Sequence, residues 1–220
     1  MPAFERAVGL GYHYLETDVH TTADGIVVAF HDDDLSRTCG RPGRISELPW
    51  REVATCRVDG KEPIPRLVDL IDAWPDARLN IDCKTDAVAD PLAEELRRAG
   101  VLDRVCVGAF SDRRLARLRR LLGPSLCTSA GPVELGALRI TGFTRGAVLA
   151  AQAPVRRRGI TVVNRRFVER AHRRGIDVHV WTIDDAAEMS RLLDLGVDGI
   201  MTDRPAVLRD VLDQRGQWVT

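Results

Sequence analysis

No run of apolar residues in this 220-residue chain reaches the length of a membrane-spanning helix, about 18–20 residues. The N-terminus also lacks the basic segment and apolar core of a secretory signal. A cytoplasmic location is expected. The chain has no surplus of charge: Lys+Arg and Asp+Glu are both 32. No global field therefore draws in nucleic acid or an anionic membrane surface, and nucleic acid is not expected as a partner. Arginine exceeds lysine, which reads as a compositional bias. Local runs such as Arg156, Arg157 and Arg158 read as a solvated face or a phosphate-attracting rim.

Cysteine spacing is equally uninformative as metal or redox chemistry. None of Cys39, Cys56, Cys83, Cys106 and Cys127 forms a C-x-x-C pair, and their number is odd. Cys83, Cys106 and Cys127 lie in apolar runs, where a buried free thiol is the ordinary reading and a reducing compartment follows. Gly9-Leu10-Gly11 never completes G-x-G-x-x-G, and there is no Walker A loop. G-x-S-x-G and H-E-x-x-H are missing too, which removes the serine-hydrolase elbow and the zincin helix. No internal repeat or low-complexity tract stands out.

What is present is a chain of 45% hydrophobic and 29% charged residues, ordinary for one folded domain spanning 1–220. Short apolar runs alternate with amphipathic stretches. The runs are Tyr14–Val19, Ile26–Phe30, Leu79–Cys83, Val105–Phe110, Ser125–Ser129, Ala147–Gln152, Val178–Trp181 and Gly199–Met201. Helical patterns include Leu67–Ala73, Pro91–Ala99, Asp112–Leu122, Asn164–Arg174 and Asp185–Leu195, the last closed by Gly196. Repeated β-then-α order predicts an α/β fold with a parallel sheet. Polar candidates at the carboxyl ends of several runs favour a TIM-type (β/α)8 barrel over an open doubly wound sheet. Such a barrel takes about 250 residues, with about 200 as its lower limit, so the chain is short for one. From about 32 to 65 the alternation stops in a stretch rich in Gly and Pro, expected to be a small loop-rich insertion near the site.

Leu15-Glu16-Thr17-Asp18-Val19 is the strongest local signal. Side chains alternate along a strand, so Glu16 and Asp18 share one face while Leu15, Thr17 and Val19 share the other. Two carboxylates on one buried face repel unless a cation or donors compensate, and a hard divalent ion takes oxygen ligands. The same pattern fits a solvent-facing edge strand with two harmless acids. Asp82 and Lys84 repeat it on Leu79–Lys84; there, an Asp–Lys pair at a strand end is the plain alternative. His31 ends the run Ile26–Phe30 and is suited to proton transfer near neutral pH, although a strand-end histidine is often structural. His13 and His20 flank the carboxylate strand, His172 lies in an Arg-rich helical pattern, and His179 shares parity with Trp181. Trp181 forms an apolar wall for a small alcohol or caps the core.

As an ordered set these residues resemble the glycerophosphodiester phosphodiesterase family. Leu15 to Val19 is similar to its E-x-D-V strand. Thr22-Ala23-Asp24-Gly25, Val28, His31-Asp32, Leu35 and Arg37-Thr38 resemble T-x-D-G…V…H-D-x-x-L-x-R-T. Ile64-Pro65-Arg66-Leu67 resembles I-P-x-L, and Asn80 to Lys84 resembles N-I-E-x-K with Asp82 in place of Glu. Val180 to Ile183 and Gly196 to Pro205 resemble the family's closing motifs.

The resemblance implies metal-dependent hydrolysis of a small-molecule glycerophosphodiester to an alcohol and sn-glycerol 3-phosphate. It implies Glu16, Asp18 and Asp82 as ligands of one divalent cation, Mg²⁺ or Ca²⁺, and His31 as one of two acid/base histidines. It also implies Lys84 at the phosphate and Trp181 beside the glycerol pocket. The family opens with a strand bearing His-Arg-Gly, followed by Glu-Asn-Thr, and the resemblance begins just after that point. The expectation is therefore a barrel without its first strand and of negligible activity until that segment is restored. The alternatives are an inactive relative that binds a phosphodiester or a partner, and a sphingomyelinase-D-like lipid specificity.

Overall fold

The computed structural model describes residues 1–144 and 148–218. The chain divides into two compact units, one of Met1–Glu5 with His13–Cys127 and one of Arg6–Tyr12 with the chain from Thr128 onward. Each repeats β-then-α order around parallel ladders, the α/β class expected.

In the first unit β1 (Tyr14–Thr21) pairs along its end with β2 (Val27–Ala29), which folds back antiparallel so that Val19 meets Ala29. The run Ile26–Phe30 is thus a hairpin arm of β1 and stands outside the parallel alternation. The turn between them explains the T-x-D-G motif. Thr22 Oγ1 donates to Asp24 Oδ1 at 2.6 Å and accepts from the Ile26 amide at 3.0 Å. Gly25 takes φ +85°, a region that disfavours side chains.

The stretch 32–65 is an insertion with its own small core of Val28, Leu35, Ile45, Val53, Cys56 and Ile64. It contains the helical turns Ser36–Cys39, Ile45–Glu47 and Trp50–Val53, and a hairpin of β3 (Arg57–Val58) and β4 (Glu62–Pro63). It is fastened at its middle and at its last residue: the Trp50 amide donates to Asp24 Oδ1 at 2.8 Å, and the Ala29 amide to the Pro65 carbonyl at 2.9 Å.

Beyond it, helix Leu67–Ala73 starts where Asp69 accepts from the Arg66 amide, and β5 (Arg78–Cys83) lies parallel to β1. Then β6 (Val105–Gly108) lies parallel to β5, and β7 (Cys127–Thr128) follows, giving the sheet order β2-β1-β5-β6-β7. Helices Ala89–Ala99 and Asp112–Leu122 bury Leu92, Leu96, Leu115 and Leu118. Each such side chain contributes about 1.5–3 kcal/mol on burial.

The second unit holds β8 (Ala150–Pro154), β9 (Arg156–Arg157), β10 (Ile160–Thr161), β11 (Asp177–Trp181) and β12 (Gly199–Ile200). Its parallel sheet has the order β12-β11-β8. Ala147, the expected start of the β8 run, lies outside the described residues. Helix Arg165–His172 begins at Asn164, whose side chain accepts from the Phe167 amide, and seats Phe167 in a core with Ala151, Val178, Val180 and Leu192. Helix Ala186–Leu195 is capped by Asp185 and ended by Gly196 at φ +96°, as the sequence predicts. Strands β9 and β10 form a hairpin that the sequence does not announce; its turn puts Arg158 and Gly159 at φ +49° and +79°. Among the described residues no helix is long and apolar enough to cross a membrane.

Candidate active site

The alternation read in β1 holds over its first half: Leu15, Thr17 and Val19 are buried, while Glu16 is exposed and Asp18 half-buried. From Val19 to Thr21 every residue is buried, because the turn Ile45–Glu47 of the insertion packs against this end of the strand. The parallel register sets Glu16 beside Asn80 and Asp18 beside Asp82, and Asn80 beside Cys106 on the following strand. Asp18 and Asp82 therefore stand on one rung of adjacent strands and face the same way.

Between them lies Lys84. Its ammonium is 2.7 Å from Asp18 Oδ1 and 2.9 Å from Asp82 Oδ2. Burial works against that charge, but hydrogen bonds to Asp18 and Asp82 outweigh it, and the Lys84 pKa rises above its ordinary value. The second oxygen, Asp82 Oδ1, is buried and without a hydrogen-bond partner among the described residues. Arg114 braces this end of β5, donating to the Cys83 carbonyl at 2.6 Å and to Asp86 at 2.8 Å.

His31 reaches the same rung from β2. The Phe30 amide donates to the Asp18 carbonyl at 2.9 Å, which ties the residue before His31 to the carboxylate strand. The His31 side chain is 72% exposed, open to a ligand, with Nε2 3.9 Å from Asp18 Oδ2. Its Nδ1 is 2.6 Å from Asp32 Oδ1. Arg37 grips that carboxylate with two bonds, Nε to Oδ2 at 2.6 Å and Nη2 to Oδ1 at 2.9 Å. Hydrogen bonds from Arg37 and then His31 pull the Asp32 pKa down to about 2. A carboxylate fixed in this way makes Nδ1 the protonated nitrogen and leaves Nε2 free to accept or return a proton.

His20, which the sequence marks only as a flanking residue, is buried, and its Nε2 lies 3.2 Å from the His31 carbonyl. Burial lowers its pKa, so near neutrality the ring is uncharged and donates to that carbonyl. The remaining histidines hold other positions. His172 pairs with Asp198 at 2.8 Å, and Asp198 also accepts from the Val178 amide. His179 is drawn below its usual pKa by burial and packs on Gly199, where an added Cβ would meet its ring at 2.8 Å.

The structure thus brings together Asp18, Asp82, Lys84 and His31. Glu16 shares their face two residues earlier, in register with Asn80. Trp181 belongs to the second unit, at the carboxyl end of β11, half-buried and in register with Pro154. Among the described residues no group of three or more His, Cys, Asp and Glu side chains is gathered closely enough to hold a metal ion. The Arg37–Asp32 clamp and the His20 contact carry no periodic signal, since both depend on side-chain reach across a turn.

Residues 1–207 match the sequence model of the Glycerophosphoryl diester phosphodiesterase family. The chain belongs to that family. It is placed thereby among the phosphoric diester hydrolases. It is 39% identical to the Mycobacterium tuberculosis protein named Probable glycerophosphodiester phosphodiesterase 2, over 99% of this chain and 86% of the relative. A glycerophosphodiester phosphodiesterase crystal structure from Agrobacterium tumefaciens superposes with a TM-score of 0.77 at 22% identity, covering 95% of this chain and 90% of the other. An Oleispira antarctica phosphodiesterase solved with the product sn-glycerol-3-phosphate superposes at 0.79 and 21% identity, covering 96% and 90%. At this identity the structural likeness shows the fold, a TIM-type barrel.

Proposed function

We propose that the family member described here hydrolyses glycerophosphodiesters, releasing an alcohol and sn-glycerol 3-phosphate. The observation that carries the reading is the rung of Asp18 and Asp82 with Lys84 between them and His31 held beside it by Asp32. The product bound by the Oleispira relative supports the substrate class.

The donor chemistry suits a hard divalent cation, although the three carboxylates are not gathered around one while Lys84 lies between Asp18 and Asp82: the oxygens are carboxylate, and Asp82 Oδ1 is buried with no hydrogen-bond partner among the described residues. Glu16, Asp18 and Asp82 would hold Mg²⁺ or Ca²⁺. When bound, such an ion offsets charge on phosphoryl oxygens and lowers the pKa of a coordinated hydroxyl. The protein's own groups do the rest. His31 Nε2 accepts a proton from the attacking oxygen or returns one to the leaving alkoxide, while Asp32 keeps Nδ1 protonated and the ring oriented. Lys84 offers an ammonium to a phosphate oxygen.

The test is release of glycerol 3-phosphate from glycerophosphocholine by the full-length protein with Mg²⁺ or Ca²⁺. His31→Ala is expected to lose at least about a hundredfold in turnover, the usual contribution of acid/base catalysis, and Glu16→Ala to show a loss of the same order through the weakened hold on the cation. Unchanged turnover in either variant overturns the reading.

A further inference from the structure

The neutral total charge hides a strongly basic segment. Between Gly131 and Gly175 the sequence has ten arginines and only two acids, Glu134 and Glu169. Arg145 is outside the described residues; the other nine lie in the second unit. Tertiary contacts gather several of them onto one face. Arg139, from helix Pro132–Thr141, donates to the Thr161 carbonyl of the β9–β10 hairpin at 2.9 Å. Arg170, from helix Arg165–His172, donates to the carbonyl of Arg139. Desolvation, followed by the nearby charges of Arg166, Arg173 and Arg139, lowers the Arg170 pKa. Outside this segment several arginines are matched by acids, as Arg117 is by Asp90 and Arg191 by Glu188.

Large apolar side chains are exposed among these charges. Val133 and Ile140, seven residues apart and so on one side of their helix, are 73% and 71% exposed. Phe143 just beyond the helix is 60% exposed, with the Arg174 guanidinium 3.9 Å over its ring. Ile160 is 58% exposed and in register with Arg157 on the hairpin. A basic field alone is satisfied by water, and apolar residues alone suit a protein partner. Together they match a surface of negative headgroups over hydrocarbon. A nucleic acid would leave the aliphatic side chains without a role, and a second copy of the chain would oppose like charges.

We propose that this face docks the protein on an anionic phospholipid surface. The arginines meet headgroup phosphates, while Ile140, Phe143 and Ile160 enter the boundary with the acyl chains. The inference is independent of the catalytic reading.

Co-sedimentation with phosphatidylcholine vesicles, with and without phosphatidylglycerol, tests it. Binding is expected only with phosphatidylglycerol present and should weaken as salt rises. Removing three charges in R156Q/R157Q/R158Q should weaken partitioning by on the order of a hundredfold. Ile140→Ser with Phe143→Ser should weaken it as well, and both variants should keep wild-type turnover of soluble glycerophosphocholine. The proposal is overturned by a lack of binding to phosphatidylglycerol vesicles, by equal binding to phosphatidylcholine alone, or by unchanged binding in both variants. Preferential capture of duplex DNA or RNA at the same salt overturns it too, in favour of a nucleic-acid surface.

Discussion

Replacing Lys84 with methionine should destabilise the metal-free protein and make it depend on a divalent cation. The ammonium touches two carboxylates at 2.7 and 2.9 Å. At an effective dielectric of about 20, each contact is worth roughly 6 kcal/mol before desolvation. Desolvation of three charged groups takes back most of that, and removing one partner of a fully buried pair costs about 3–5 kcal/mol. Here the lysine side chain is 23% exposed and both aspartates 14%, so water screens the charges left behind. The expected loss is about 2–3 kcal/mol. For a protein of this size that lowers the melting temperature by roughly 5–10 °C.

Urea unfolding with EDTA, compared with unfolding in excess Mg²⁺ or Ca²⁺, measures both parts. A cation would replace the missing positive charge and should stabilise Lys84→Met more than the wild type. The sign of the pH effect follows from the raised Lys84 pKa: its contribution is complete below the unfolded value near 10.4 and is lost as pH climbs through the folded one. A variant as stable as wild type in EDTA, or a cation effect equal in both, would refute the argument.

Other outcomes follow from the same contacts. Asp32→Asn should lower kcat while leaving KM nearly unchanged, since Asp32 orients His31 and lies behind it; steady-state kinetics separate the two. In the wild type, the stability supplied by the Arg37–Asp32 pair is present at neutral pH and fades as pH falls from about 4 towards about 2, because the Asp32 pKa is depressed. That loss should be missing from the acid-unfolding curve of Arg37→Ala. His20→Ala should reduce kcat, and His20→Gln, which keeps a donor for the His31 carbonyl, should recover most of it. Burial pushes the Glu95 carboxyl up to about 7, so its ionisation opposes folding as pH rises from about 4.5 to about 7. Glu95→Gln should therefore gain about 1–2 kcal/mol at pH 8, discounted for partial exposure, and nothing at pH 4.

Much of the site was legible because strand parity is rigid. Glu16 and Asp18 on one face, and Asp82 and Lys84 on another strand, follow from a two-residue period. The register that aligns Asp18 with Asp82 is set by long-range pairing and left no trace in either segment. Burial of His20 was hidden for a related reason: the insertion covers a strand end that would otherwise alternate. Helices with strong caps were legible to within a residue or two, as with Asp112–Leu122 after Ser111 and Ala186–Leu195 after Asp185. The β9–β10 hairpin was not, because Arg156-Arg157-Arg158 has neither β propensity nor alternation and turns through a non-glycine residue at positive φ.

The placement of Lys84 has a practical consequence for following this protein in solution. The sequence has only one other lysine, Lys61, and that residue is exposed. An amine-directed acylating reagent would thus find one reactive ε-amine and one kept protonated between two aspartates. The ratio of label at the two positions, read by mass spectrometry on the unmodified sequence, is an internal gauge of whether the carboxylates hold their ammonium or have released it to something else.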